Sequence, residues 1–206
     1  MSAADARAPL AASDHDPDQE QPHGWDNNPA AWSQRLPIIV LALIGTVVAG
    51  WLALYQQEMT DTVWEPFFGD GTKEIVRESG FSRFFERFPV GDAALGMFGY
   101  LADAVTGAIG GTKRWRTMPW IVLIFGVFVG PFGVISITLI VMQPVLYDNF
   151  CTLCLVSAAI SLAMIGPAVD EVLASLQYLR RERQADRSVW GAFWGRPDPV
   201  PEEVAA

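Results

Sequence analysis

The chain has 206 residues, 51% of them hydrophobic and 18% charged, with a formal net charge of −9 at pH 7. Apolar sequence so abundant and so clustered excludes an ordinary soluble domain of that length. The acidic excess lies largely in the two tails, and no basic arm interleaved with aromatics exists to suit nucleic acid.

Residues 1–35 are rich in Ala, Asp, Pro and Gln and cannot bury a core, so a disordered cytoplasmic tail is expected there. The basic front and short apolar stretch of a cleavable signal are missing, which makes the first apolar segment an uncleaved anchor. Four apolar segments follow, at 36–55, 92–111, 119–142 and 147–167. Each approaches the ~20 residues that carry a helix across about 30 Å of hydrocarbon. An all-α, integral membrane four-helix bundle is therefore expected over 36–167. Asp103 lies inside the second segment, where a carboxylate is costly and a functional candidate. The simpler reading is a protonated Asp103 bonded to Ser136 or Thr138. Gly126 and Gly130 form a GxxxG pair that predicts close packing of the third helix.

The connections carry pattern too. Between the first two segments, Phe81, Phe84, Phe85 and Phe88 recur at helical spacing, with Arg83, Glu86 and Arg87 on the other face. This predicts a short amphipathic helix that lies on the membrane or caps the outer mouth of the bundle. Residues 168–206 begin by continuing the fourth helix, with Val169, Val172, Leu173 and Leu176 as one apolar stripe. An amphipathic cytoplasmic helix and then a disordered tail are expected there.

Four spans put both termini and the second connection on one side. That side carries ten Lys and Arg residues and the other carries four, all in the first loop. The positive-inside rule then places both termini in the cytoplasm and the third loop, QPVLYDNF, outside. Directly after it come Cys151 and Cys154, the only cysteines of the chain, on the oxidising side of the membrane.

Residues three apart on a helix have α-carbons roughly 5–6 Å apart, inside the disulfide window. If Cys151 opens the helix, the helix end favours its thiolate, and Asp148 three residues earlier could cap that end. Cys154, one turn deeper, faces the apolar interior. A water-facing nucleophile and a lipid-facing relay can thus arise from one turn. Other readings stay open: a static disulfide, which closes too short a loop to stabilise much, or two inert buried thiols. Metal is not expected, since the only histidines, His15 and His23, lie in the tail.

The stretch VLYDNFCTLC (145–154) resembles the Tyr-Asp-Phe-Cys-x-x-Cys entry to the fourth helix of the vitamin K epoxide reductase family, with Asn149 as an extra residue. The approach to the second helix, IVRESGFSRFFERFPVGDAALGMFGY (75–100), is similar as well. The resemblance covers about 36–167. It implies a quinone-linked thiol–disulfide oxidoreductase of a bacterial cell membrane, with Cys151 and Cys154 catalytic. It further implies a menaquinone or ubiquinone type of quinone, held near Phe84, Phe85 and Asp92, and a thioredoxin-like extracytoplasmic protein as thiol partner. Three departures stand out. The first loop lacks the family's second cysteine pair, with Lys73 near one of its positions. Asp92 stands where animal members have an Asn, and Ala158 where they have a Tyr. These point away from epoxide reduction and from the usual electron relay. The rival expectation is a non-catalytic scaffold or accessory subunit with a static disulfide.

The charge count yields a direct test. A maleimide too polar to cross membranes is expected to label reduced Cys151 from outside in intact cells. Labelling only in inverted vesicles would overturn the orientation.

Overall fold

The computed structural model describes residues 21–22, 24–78 and 91–196. Every regular element among them is helical: α1 (Trp32–Gln56), α2 (Gly71–Glu78), α3 (Asp92–Ala108), α4 (Arg114–Thr117), α5 (Pro119–Leu146), α6 (Thr152–Gln184) and α7 (Val189–Phe193). Three of these, α1, α5 and α6, are long and apolar enough to cross a membrane. Helix α3 has 17 residues, about 25 Å at 1.5 Å per residue, which falls short of a full span. It ends at Ala108, before the expected limit of 111. The amphipathic segment with Phe81, Phe84, Phe85 and Phe88 lies outside the described residues. The first loop also contains α2, which was not among the expected elements.

The main contacts are α1 with α3, α5 with α6, α1 with α6, and α3 with α5. Their shared core holds Ala42, Tyr100, Phe125, Ile160 and Met164. Close approach depends on missing side chains. A Cβ on Gly45 would stand 2.7 Å from the Tyr100 ring, and one on Gly126 would stand 2.5 Å from Val172. Gly126 therefore has the packing role its spacing predicts. Gly130, its partner in the motif, borders open space.

At the end of the bundle where α1 begins, two buried guanidinium groups hold the structure together. Arg35 and Arg114 are each 1% exposed. Arg35 donates to the carbonyls of Gly107 (3.0 Å), Ile109 (2.9 Å) and Gly110 (2.8 Å). Arg114 donates to those of Thr106 (2.7 Å) and Ile109 (2.9 Å) and forms a two-pronged pair with Glu171 on α6. The carbonyls that α3 leaves unpaired at its C-terminus are thereby satisfied, and the positive charges suit that end of its dipole.

This cluster corrects one expectation. The tail does not extend to residue 35, because α1 starts at Trp32, whose ring carries the Arg35 guanidinium 4.4 Å from its centroid. Further upstream, Asn28 donates to the carbonyl of Thr112. On α6, the apolar stripe divides: Val169, Leu173 and Leu176 are exposed, and Val172 is half-buried. Ala168, Glu171, Ala174 and Ser175 are buried instead. Glu171, on that buried side, meets Arg114.

Removing one member of a buried ion pair strands the other. Glu171→Ala is expected to cost about 3–5 kcal/mol, read as a lowered thermal midpoint in detergent. A loss under about 1 kcal/mol would show that the carbonyl contacts alone hold Arg114.

Candidate active site at the start of α6

Helix α6 begins against the first loop and the end of α5, and its unpaired N–H groups are all the more costly because they are buried. Cys151 is its N-cap, and the Cys151 sulfur accepts from the backbone N–H of Cys154 at 3.1 Å. The N–H of Cys151 donates to Oε1 of Gln143 (3.1 Å), itself buried on α5. The N–H of Thr152 donates to Oε2 of Glu65 (2.9 Å) in the first loop. The Thr152 and Thr72 hydroxyls bond the same carboxylate. Asp148, expected to cap this helix, is exposed and sits at φ 50° in the turn that leads to it. Glu65 fills that role from 87 residues away in sequence, too far for any local signal.

Cys151 and Cys154 are joined as a disulfide, with α-carbons 5.2 Å apart, within the range their spacing predicts. Their surroundings differ from expectation. Cys151 is not water-facing; it is 0% exposed, packed in a cluster with Leu52, Tyr55, Ile75 and Val76. Helix α2 covers it, and the fit there is close. A Cβ on Gly71 would stand 2.1 Å from the carbonyl oxygen of Phe150. The Phe68 and Phe150 rings meet at 5.3 Å, and Asn149 donates to Glu74 at 3.0 Å. A covalently closed, covered Cys151 carries no thiolate at the helix end, because its sulfur is already engaged there and Glu65 already supplies the negative charge.

Cys154 is partly buried and borders a cavity of about 630 Å³ between α3, α5 and α6. The walls are mainly apolar and include Phe98, Phe128 and Phe132, with Asp92, Gln143 and Tyr100 as polar groups. Asp92, expected near a quinone, does lie here, and its Oδ1 accepts from Nε2 of Gln56 (2.5 Å) and from the N–H of Ala93 (2.9 Å). The Tyr100 hydroxyl lies 2.6 Å from that of Ser161 and 3.0 Å from that of Ser157. Ala158 also lines the cavity, so its missing ring leaves space. Phe84 and Phe85 lie outside the described residues.

Glu65 is only partly exposed. Burial opposes its ionisation, but hydrogen bonds from Thr152, Thr72 and Phe68 outweigh that and hold the carboxyl below its ordinary range. Asp103 is a separate matter. It is 3% exposed, and its Oδ1 has no hydrogen-bond partner. Neither expected hydroxyl supplies one; that of Thr138 donates to the carbonyl of Val134.

The sequence singled out the cysteine pair and Asp92, which lie at this end of the bundle, but not Glu65, Gln143, Gln56 or Tyr100. A polar Gln in an apolar run was the one available signal for Gln143. Comparison with known proteins gives a family model, described as the vitamin K epoxide reductase family, that matches residues 36–168. No curated protein and no solved structure matches.

Proposed function

This chain belongs to the vitamin K epoxide reductase family, and from that premise we propose that it oxidises dithiols at the outer face of a membrane and passes the electrons to a quinone. Membership supports a membrane redox role in general, and three helices able to span a bilayer agree with it. In this reading α3 is the fourth member of the bundle, both termini are cytoplasmic, and the cysteine pair faces out. The observation that carries the proposal is the asymmetry of the disulfide. Cys154 lines a large apolar cavity, whereas Cys151 does not and is wholly buried under Ile75 and Val76, which border that cavity too.

The cavity suits a quinone by its size and chemistry. Aromatic walls from Phe98, Phe128 and Phe132 match a flat apolar ring, and few polar groups converge on it. Asp92 and Tyr100 would orient its oxygens, and Phe84 and Phe85, on the sequence reading, would close the pocket from the loop. A quinone held there would supply an acceptor for two electrons and two protons. The chain's own chemistry runs in two stages. A thiolate of the substrate attacks Cys151 Sγ, the disulfide breaks, and Cys154 leaves as a thiolate. The second substrate thiol then attacks the mixed disulfide, releasing Cys151 and a substrate disulfide. The reduced pair holds two electrons, and its own disulfide re-forms as these depart through Cys154 with two protons. Gln143 keeps the Cys151 backbone in place throughout, and the apolar walls exclude water.

The rival reading is a scaffold with a static disulfide, and the complete burial of Cys151 favours it. The pair's reduction potential separates the two. A structural bond lies below about −300 mV, and a working one lies above. Purified reduced protein is expected to reduce a soluble quinone analogue, and Cys154→Ala to abolish this. An undiminished rate in that variant would remove the electron path. Ala158→Phe, which fills the cavity, should raise KM for the analogue with little change in the disulfide's potential. Phe84→Ser with Phe85→Ser should weaken quinone use more than membrane insertion. Membranes carrying Cys154→Ala should hold a mixed disulfide at Cys151 that thiol reductant dissolves, and Cys151→Ala membranes far less of it.

A further inference from the structure

The thiol-exchange half of the proposed function, on which this inference rests, meets an obstacle: the sulfur an outside thiolate must attack is wholly covered. Among the described residues, the chain offers no other cysteine to reach it from within. Access therefore depends on what holds the cover down. Apolar contacts of Ile75 and Val76 press it onto Cys151. Its polar fastening converges on one side chain. Both oxygens of Glu65 are occupied, Oε2 by the Thr72 hydroxyl and the Thr152 N–H, and Oε1 by the Thr152 hydroxyl and the N–H groups of Phe67 and Phe68. Thr72 belongs to α2 and Thr152 to α6, so a single carboxylate ties the cover to the helix that carries the disulfide.

We propose that Glu65 is the positioning residue of thiol exchange, its carboxylate latching the 65–78 segment over Cys151 so that exchange proceeds only when that latch is released. The chemistry of the donors explains why an anion is needed. All five are O–H or N–H groups pointing at two oxygens, and charged acceptors bind such donors more strongly than neutral ones do. An amide in the same place would turn an NH₂ group toward some of those donors and lose their bonds. Other ionisable groups on the adjoining elements are engaged elsewhere or open to water. Asp70 pairs with Lys73, Glu74 accepts from Asn149, and Arg77 lies over the Tyr55 ring at 4.3 Å. Glu58 and Asp148 are exposed, and Tyr147 packs beside Cys151.

The sign of the pH dependence follows. The folded chain holds the Glu65 carboxyl below its ordinary value of 4.5. The latch is therefore fully present above that pH and is lost as pH falls through the lowered value. Partial exposure lets the group titrate against bulk solvent and limits the strength of each bond.

The test reads the disulfide directly and needs no quinone, so failure of the latch and failure of the quinone reading are separate results. Full-length oxidised protein in detergent is treated with tris(2-carboxyethyl)phosphine, a polar reagent unsuited to the apolar cavity. The phosphine attacks a sulfur, the S–S bond breaks, and water converts the phosphine to its oxide as two thiols appear. Thiol release is followed from pH 7 to pH 3 in wild type and in Glu65→Gln. The ratio of the two rates cancels the reagent's own titration. It is expected to be about tenfold at pH 7 in favour of the variant, and to fall as pH drops below the ordinary carboxylate range. Gly71→Ala, which forces the cover off sterically, should accelerate reduction at both ends of that range. Thr72→Val should give a smaller gain with the same pH dependence as wild type. A Glu65→Gln ratio near one at pH 7, or one that does not change with pH, would overturn the proposal. If Glu65→Gln does not fold, an unaccelerated Thr72→Val would do the same.

Discussion

The carboxylate of Glu65, the amide oxygen of Gln143 and the sulfur of Cys151 divide among them the N–H groups with which α6 begins. A helix that starts beneath a covering loop cannot rely on water for these donors, and leaving them unmet would cost more than any single bond returns. Meeting them brings three segments together: the first loop, the end of α5 and the cysteine turn. The disulfide sits at that junction because its sulfur is one of the acceptors. The position of the cysteine pair and the closure of the helix end are one arrangement.

The opposite end of the bundle faces the same demand with reversed sign. There α3 ends in unpaired carbonyls, and Arg35 and Arg114 supply the donors, with Glu171 balancing the charge. Three helices are anchored by this group, since Arg35 lies on α1, the carbonyls on α3 and its exit, and Glu171 on α6. Between the two ends the contacts are apolar and rely on shape, as where Gly45 admits the Tyr100 ring. In hydrocarbon there is no water to drive association, so close packing and satisfied polar termini carry most of the specificity.

Separation of the two sulfurs follows from this frame. One turn of helix places Cys151 wholly beneath α2 and Cys154 at the cavity wall. The proposed chemistry uses that difference. A chain without loop cysteines has no internal thiol to open the bond, so in the proposed exchange the cover over Cys151 governs access. Asp103 has no part in this account. Its buried, unpartnered oxygen stands apart from both the cavity lining and the guanidinium cluster.

Apolar runs in the sequence were sufficient to locate α1, α5 and α6, because a span is recognised by its own composition. The Cys-x-x-Cys spacing allowed the disulfide, since one helical turn sets the distance between α-carbons, and the structure forms it. The resemblance at 145–154 pointed to the family that the match over 36–168 establishes. What sequence alone did not reveal depends on partners far along the chain. Glu65 reads as an ordinary loop acid until Thr152 is brought to it across 87 positions. Arg35 reads as the end of a polar tail until the carbonyls of α3 surround it. The stripe at Val169, Leu173 and Leu176 has the period of a packed face, but period only separates two sides of a helix. Which side turns inward is settled only in the fold, where Glu171 meets Arg114 of another element and neither buried charge is left unpaired. For the same reason Cys151, placed by its sequence at the outer mouth, is made inaccessible by a loop that only the fold lays over it.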